Sequence, residues 1–175
     1  MGDIKRININ IDTKKENKLG ATKRIITDNE IWKNYEGKLS IDNQYDYIKQ
    51  LYDDNIKDID ICNVIHKQIK QKISGYRNQD TIKKILNIEK LITTKDAFKL
   101  LYESNLNCYY CKENVSILYD TVREPKQWTL DRIDNDIGHY SDNVVIACLS
   151  CNLHRKTMYH ERFLFTKQLN IIKKE

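Results

Sequence analysis

Two C-x-x-C pairs, Cys108-Tyr109-Tyr110-Cys111 and Cys148-Leu149-Ser150-Cys151, constrain this chain more than any other feature. Two thiolates at that spacing reach one tetrahedral ion from a single tight turn, and two such turns complete a four-thiolate shell. The ion expected there is zinc. A shell so closed leaves no coordination position for a substrate, so the expected role is structural and any chemistry must come from elsewhere. Between Cys111 and Cys148 lie 36 residues, more than the roughly 15–20 of a plain zinc ribbon. The intervening segment must therefore fold as a unit. Its pattern is a short β stretch ending in Asp131-Arg132, a loop containing Gly138, and a second apolar strand running into the second C-x-x-C. A basic helix begins at Asn152.

A chain of 175 residues suits one ordinary domain, or a compact domain plus an arm. Lys and Arg number 30 against 25 Asp and Glu, a net charge of +5. Such an excess favours a polyanionic partner only if the positive groups gather on one face. No apolar run is long enough to cross a bilayer, and the opening M-G-D-I-K-R-I-N-I-N lacks the apolar core of a secretory signal. The expectation is an intracellular protein, in cytoplasm or nucleus or of viral origin, not secreted and with no membrane partner. Four of the five cysteines lie in C-x-x-C pairs, which fits metal ligation in a reducing compartment better than disulfides.

The fold expected is α+β: an N-terminal helical region followed by a small zinc-stapled ββα, treble-clef-like domain. Residues 1–40 read as a flexible arm and residues 41–92 as a helical, basic region. In the latter, Asp42 is the expected N-cap of a helix carrying Tyr45, Ile48, Leu51 and Tyr52. A second helix is expected from Asp58 to Ile73, with Ile61, Cys62, Ile65, Ile69 and Ile73 on one stripe and Cys62 as a core thiol. Ser74-Gly75 should end it. The polar turn that follows carries Arg77, a candidate phosphate contact, though composition fits a plain interhelix turn equally well. A further helix is expected from Asp80, carrying Ile82, Ile85 and Leu86. Residues 93–175 form the zinc unit: a capping box at Thr93 and Asp96, a short helix to about Ser104, and a strand over residues 115–119. The ββα element and a final helix with Phe163, Leu164, Phe165, Leu169, Ile171 and Ile172 complete it.

Asp131 at a strand end and Asn152 on a helix start offer a carboxylate and an amide oxygen, enough to hold a hydrated Mg²⁺ or Mn²⁺ against a phosphate. The run from Leu130 to Lys156, L-D-R-I-D-N-D-I-G-H-Y-S-D-N-V-V-I-A-C-L-S-C-N-L-H-R-K, resembles the ββα-metal motif of HNH-family endonucleases. The branch it resembles contains zinc and includes phage recombination endonuclease VII and HNH proteins of phages and large DNA viruses. The resemblance covers about residues 93–165. It implies a metal-dependent DNA endonuclease that leaves 5′-phosphate and 3′-hydroxyl ends. It further implies that Asp131 and Asn152 hold the catalytic cation and that Asn143 orders the connection between the strands.

The sequence departs from the family at one position. Arg132 stands where the general-base His belongs, and a guanidinium that stays protonated cannot take a proton from water. Arg132 suits the scissile phosphate or the transition state instead. His139 is the first candidate for the base, with Tyr109 and Tyr110 behind it and Asp134 placed to position a water. A turn-shaping role for His139 beside Gly138 is the other reading. His154 faces a different side of its helix from Asn152 and is not assigned as a ligand. Arg155 and Lys156 are expected on phosphates. The partner is DNA, and a homodimer would serve symmetric cutting. The Arg132 substitution also supports an alternative, a non-catalytic zinc-stabilised DNA-binding protein that retains the HNH fold. A treble-clef domain that binds another protein is a further one.

Overall fold

The computed structural model describes residues 40–119 and 121–168. The expected arm up to residue 39, and Leu169, Ile171 and Ile172 of the final helix, lie outside the described residues. Helix α1 spans Ile41–Tyr52, α2 Ile59–Ile82 and α3 Thr94–Glu103; strands β1 (Trp128–Arg132) and β2 (Val144–Cys148) follow, then α4 (Leu149–Arg155) and α5 (His160–Gln168). The α+β architecture is as expected, with helices first and a two-stranded antiparallel sheet leading into the last two. No helix among the described residues is long and apolar enough to cross a membrane.

The N-cap of α1 lies two residues before the expected one. Ser40, not Asp42, closes its first turn, its Oγ accepting from the Asn43 amide at 3.3 Å. Asp42 sits inside the first turn, where its charge faces the positive end of the helix dipole. Tyr45 and Tyr52 both stack on Tyr102 of α3, with ring centroids 5.6 and 4.8 Å apart. Thr93 and Asp96 form the expected capping box on α3.

Helix α2 does not stop at Gly75. It runs on to Ile82, so the helix expected from Asp80 is instead the last turn of α2. The buried stripe explains the continuation: Ile61, Cys62, Ile65, Ile69 and Ile73 are followed in phase by Tyr76 and Asp80, both buried. Glycine inside a helix costs about 1 kcal/mol relative to alanine, a penalty that the packing of Tyr76 and Asp80 outweighs.

The true helix ends carry no glycine. At the ends of α1, α2 and α3 the left-handed residue is Asp54 (φ 56°), Lys84 (φ 59°) and Asn105 (φ 50°). Each is followed by the same closure: Asn55 N to Gln50 O at 3.0 Å, Ile85 N to Asp80 O at 3.0 Å and Leu106 N to Leu101 O at 3.2 Å. This is the six-to-one hydrogen bond of a Schellman motif.

Residues 115–119 are buried at Val115, Ile117 and Leu118 but form no strand. Ser116 makes a single parallel bridge to Gln127. The amides of Ile117 and Leu118 donate to Oε1 of the buried Gln44 at 2.8 and 3.0 Å. One side-chain oxygen from α1 thus replaces a ladder partner, an arrangement that periodicity does not reveal.

A single hydrophobic core joins the two halves, from Tyr47 and Ile48 of α1 through Ile65 and Ile69 to Trp128, Leu130, Ile146 and Phe163. Cys62 lies fully buried within it. In the sheet Trp128 faces Cys148, Leu130 faces Ile146 and Arg132 faces Val144.

Candidate metal centre and basic cleft

The four sulfurs of Cys108, Cys111, Cys148 and Cys151 lie within 4.8 Å of one another, and three of the four residues are buried. Thiolates about 2.3 Å from a tetrahedral ion stand about 3.8 Å from each other; Cys111 Sγ and Cys148 Sγ are 3.9 Å apart. The donor set and its spacing therefore fit a closed zinc site. Cys148 ends β2 and caps α4, its Sγ accepting from the Cys151 amide at 3.3 Å. The first pair sits on a knuckle closed by Cys108 N to Glu113 O at 2.8 Å, with Lys112 left-handed at φ 61°. Tyr109 N to Ile146 O at 2.8 Å ties that knuckle to β2. Metal bound here would clamp the chain before the hairpin to the junction of β2 and α4.

Beside this centre, α2, β1 and α4 enclose a cleft of about 680 Å³. Four basic side chains line it, Lys72 and Lys83 from α2 and its end, Arg132 from β1 and Lys156 after α4, together with Asp131, His139 and Asn152. The expected site residues Asp131, Arg132, His139, Asn152 and Lys156 thus share one cleft. Arg77 lies exposed on α2 and is not among the cleft's lining residues.

Asn143 closes the loop at the rim. Its Oδ1 accepts from Asp134 N at 3.0 Å, and its Nδ2 donates to the carbonyls of Asp134 and Gly138, both at 3.0 Å. Asp134 itself is exposed and spends Oδ1 on the Asp136 amide at 2.9 Å. Arg132 donates through Nη1 to the carbonyls of Asn135 and Ile137, at 3.0 and 3.2 Å.

Arg155, expected on a phosphate, is buried. Its Nε meets Asp131 Oδ2 at 2.6 Å and its Nη2 meets Asp131 Oδ1 at 3.1 Å, while Nη1 donates to Met158 O at 2.6 Å. Nη2 also reaches Arg132 O. Each nitrogen of this guanidinium has an acceptor within the protein, because Arg155 turns inward under the helix rather than out to the cleft. Tyr110 OH adds a 2.7 Å bond to Asp131 Oδ2. That oxygen has two donors and is saturated; Oδ1 has one and retains a lone pair.

Tyr110 is fully buried, and its phenol is raised far above the ordinary range, first by burial and then by Asp131. Such a group cannot serve as a base. Tyr109 packs edge-on against Tyr110 and faces a separate groove with Leu100 and Val145. Neither tyrosine opens on the cleft. Asn152 donates through Nδ2 to Thr129 Oγ1 at 3.1 Å and Leu130 O at 3.4 Å, which leaves its Oδ1 for another partner. His154 is exposed, 3.4 Å from Ser150 Oγ.

Asp80 and Lys72 were not singled out by sequence reasoning. Asp80 accepts from the His139 amide at 2.7 Å and pairs with His139 Nδ1 at 2.7 Å; extending the stripe of α2 across Gly75 would have found it. Lys72 Nζ donates to Gln127 Oε1 at 3.1 Å and to Trp128 O, and lies over the Trp128 ring at 4.7 Å. Burial lowers it to about 7.

The outward backbone groups of β1 are met by other parts of the chain. Trp128 N bonds Ser116 O at 3.0 Å, Leu130 N bonds the Tyr76 phenol at 3.0 Å, and Trp128 O, Leu130 O and Arg132 O receive Lys72, Asn152 and Arg155.

No protein-family model matches the chain, and no solved structure matches it. It is similar to an uncharacterized protein of Acanthamoeba polyphaga mimivirus, 38% identical over 71 residues that make up 41% of this chain and 12% of the viral protein. The chain therefore spans a small part of the length of that relative.

Proposed function

We propose that this chain is a zinc-stapled ββα domain of HNH type and a metal-dependent DNA endonuclease that works in the cleft between α2, β1 and α4. The observation that carries this reading is the convergence of Asp131, Asn152 and His139 with the cations Lys83, Arg132 and Lys156 in one cleft. A phosphodiester backbone is the ligand that such a lining recognises, since the cations neutralise phosphates and release counterions. The L-D-R-I-D to C-N-L-H-R-K resemblance supplies the reaction class.

The free lone pair on Asp131 Oδ1 and the amide oxygen of Asn152 fit the one-carboxylate, one-amide donor set of a largely hydrated Mg²⁺ or Mn²⁺. Bound there, the cation would supply Lewis-acid stabilisation of the phosphate. Arg132 keeps donors beyond Nη1 for a phosphate oxygen, and Asn143 holds the loop that carries His139. Burial lowers the imidazole below its ordinary value, against the opposing pull of Asp80, which favours the neutral ring that a general base requires.

A second reading rests on a specific observation: Asp131 Oδ2 is saturated by Arg155 and Tyr110, and Arg132 stands at the usual base position. This favours a zinc-stabilised domain that binds DNA without cutting it. Incubating supercoiled plasmid with zinc-loaded protein and Mg²⁺ or Mn²⁺, beside EDTA and Asn152→Ala, separates the two. Nicking that needs the cation and is lost in the variant supports the nuclease. Salt-sensitive DNA binding with no nicking supports the second reading, and negligible affinity removes both.

A further inference from the structure

Asp80 is fully buried on the last turn of α2, yet it makes no ion pair with a lysine or arginine among the described residues. Both of its oxygens go to His139: Oδ2 to the backbone amide and Oδ1 to ring Nδ1, each at 2.7 Å. The imidazole is itself 3% exposed and stacks on Tyr76, with centroids 4.5 Å apart and planes at 26°. It is gripped on one edge and one face. Its other nitrogen, Nε2, takes no protein hydrogen bond among the described residues and is not sealed from solvent, and His139 lines the cleft.

The approach between loop and helix is built closely enough to exclude a side chain. A Cβ on Gly138 would stand 2.8 Å from Tyr140 Cε1, 2.9 Å from Asp80 Oδ2 and 3.0 Å from Ile85 O. Tyr140 OH reaches back to Ile85 O at 3.0 Å, and Ile92 N bonds His139 O at 2.9 Å. The segment that follows α2 and the loop between the strands are thus laced together around this pair.

We propose that Asp80 is the positioning residue for His139, resting on the endonuclease reading above: it fixes the Nδ1–H tautomer and aims the unprotonated Nε2 into the cleft. The helical region then completes the active site rather than merely flanking the zinc unit. In the step it serves, Nε2 takes one proton from water as the water oxygen bonds to phosphorus. The P–O3′ bond breaks with its electron pair on O3′, which takes a proton from solvent, and the imidazolium returns its proton to solvent. A carboxylate on Nδ1–H holds the ring and stabilises the imidazolium that forms.

Two measurements on the zinc-loaded chain test this. The first is the ¹⁵N spectrum of the histidine side chains near neutral pH, assigned with His139→Gln; the expected result is a His139 ring protonated at Nδ1 in the wild type. A ring protonated at Nε2 overturns the positioning whatever the protein cleaves. The second is nicking of supercoiled plasmid by Asp80→Asn, His139→Ala and the double variant, each checked for zinc content and DNA affinity. Asp80→Asn should lose on the order of 100-fold in rate with affinity unchanged, and the double variant should be no slower than His139→Ala. Asp80→Asn that cuts at the wild-type rate, or losses that multiply, overturn the proposal. Wild-type protein that shows the Nδ1–H ring and cuts nothing instead overturns the endonuclease reading, and the catalytic use of the pair with it.

Discussion

The guanidinium of Arg155 closes on the carboxylate of Asp131 through two bonds, Nε to Oδ2 at 2.6 Å and Nη2 to Oδ1 at 3.1 Å, with the side chains 0% and 6% exposed. Removing one member of a buried pair strands the other charge, at a cost of about 3–5 kcal/mol. Arg155→Ala should therefore lower stability by about that amount in urea denaturation of the zinc-loaded protein. It should leave the salt dependence of DNA binding by the folded fraction unchanged. A small loss of stability with a shallower salt slope would return Arg155 to the phosphate-contact role suggested by its place beside Lys156.

One equivalent of zinc is expected per chain, measured by metal analysis of protein purified without added metal. Cys151→Ser should lose it along with the cooperative melting transition, because the fourth ligand joins the start of α4 to the knuckle. Retention of a full equivalent and an unchanged melt would show that the sulfurs do not act as one site.

Gly75 lies within α2 with no atom within 4 Å of the place a Cβ would take. Gly75→Ala should raise stability by about 0.5–1 kcal/mol, by the gain in helix propensity and the smaller entropy of the unfolded chain. A lower melting temperature would mean that α2 is interrupted there.

Lys72 carries a sign that can be worked out. Its folded value of about 7 lies below the roughly 10.4 of an unfolded lysine. Between those limits the unfolded chain binds the additional proton, so this group makes stability rise with pH. The penalty is fully present below pH 7 and gone by about 10.4. Comparing wild type with Lys72→Met in the zinc-loaded state isolates it: the difference should move in favour of the wild type by about 1–2 kcal/mol from pH 7 to 9. A flat difference would show that the acceptors Gln127 and Trp128 O hold Nζ charged throughout.

The cysteine pairs, the two strands, the capping box and the stripe of α2 were legible because each is local or periodic. Elsewhere packing overrode a local signal. Gly75 looked like a helix end, but Tyr76 and Asp80 continue the stripe, and the real ends use Asp54, Lys84 and Asn105 in the conformation glycine usually supplies. Residues 115–119 looked like a strand, but Gln44 meets two of their amides. Arg155 looked like a surface cation beside Lys156, and only the packing of α4 on β1 shows that it turns inward to Asp131. His139 was found as a titratable group in a loop; its partner lies 59 residues away.

The occupied outward edge of β1 has a consequence for recognition. With Trp128, Leu130 and Arg132 already bonded along that edge, the floor of the cleft has few peptide groups to offer and does not welcome an added strand. Whatever enters meets side chains rather than backbone, among them Lys83, Lys156, Arg132 and the apolar Leu153. A preference written in side chains on a finished scaffold can be rewritten one residue at a time. Related chains could thus come to choose different targets while the core, the staple and the hairpin stay the same.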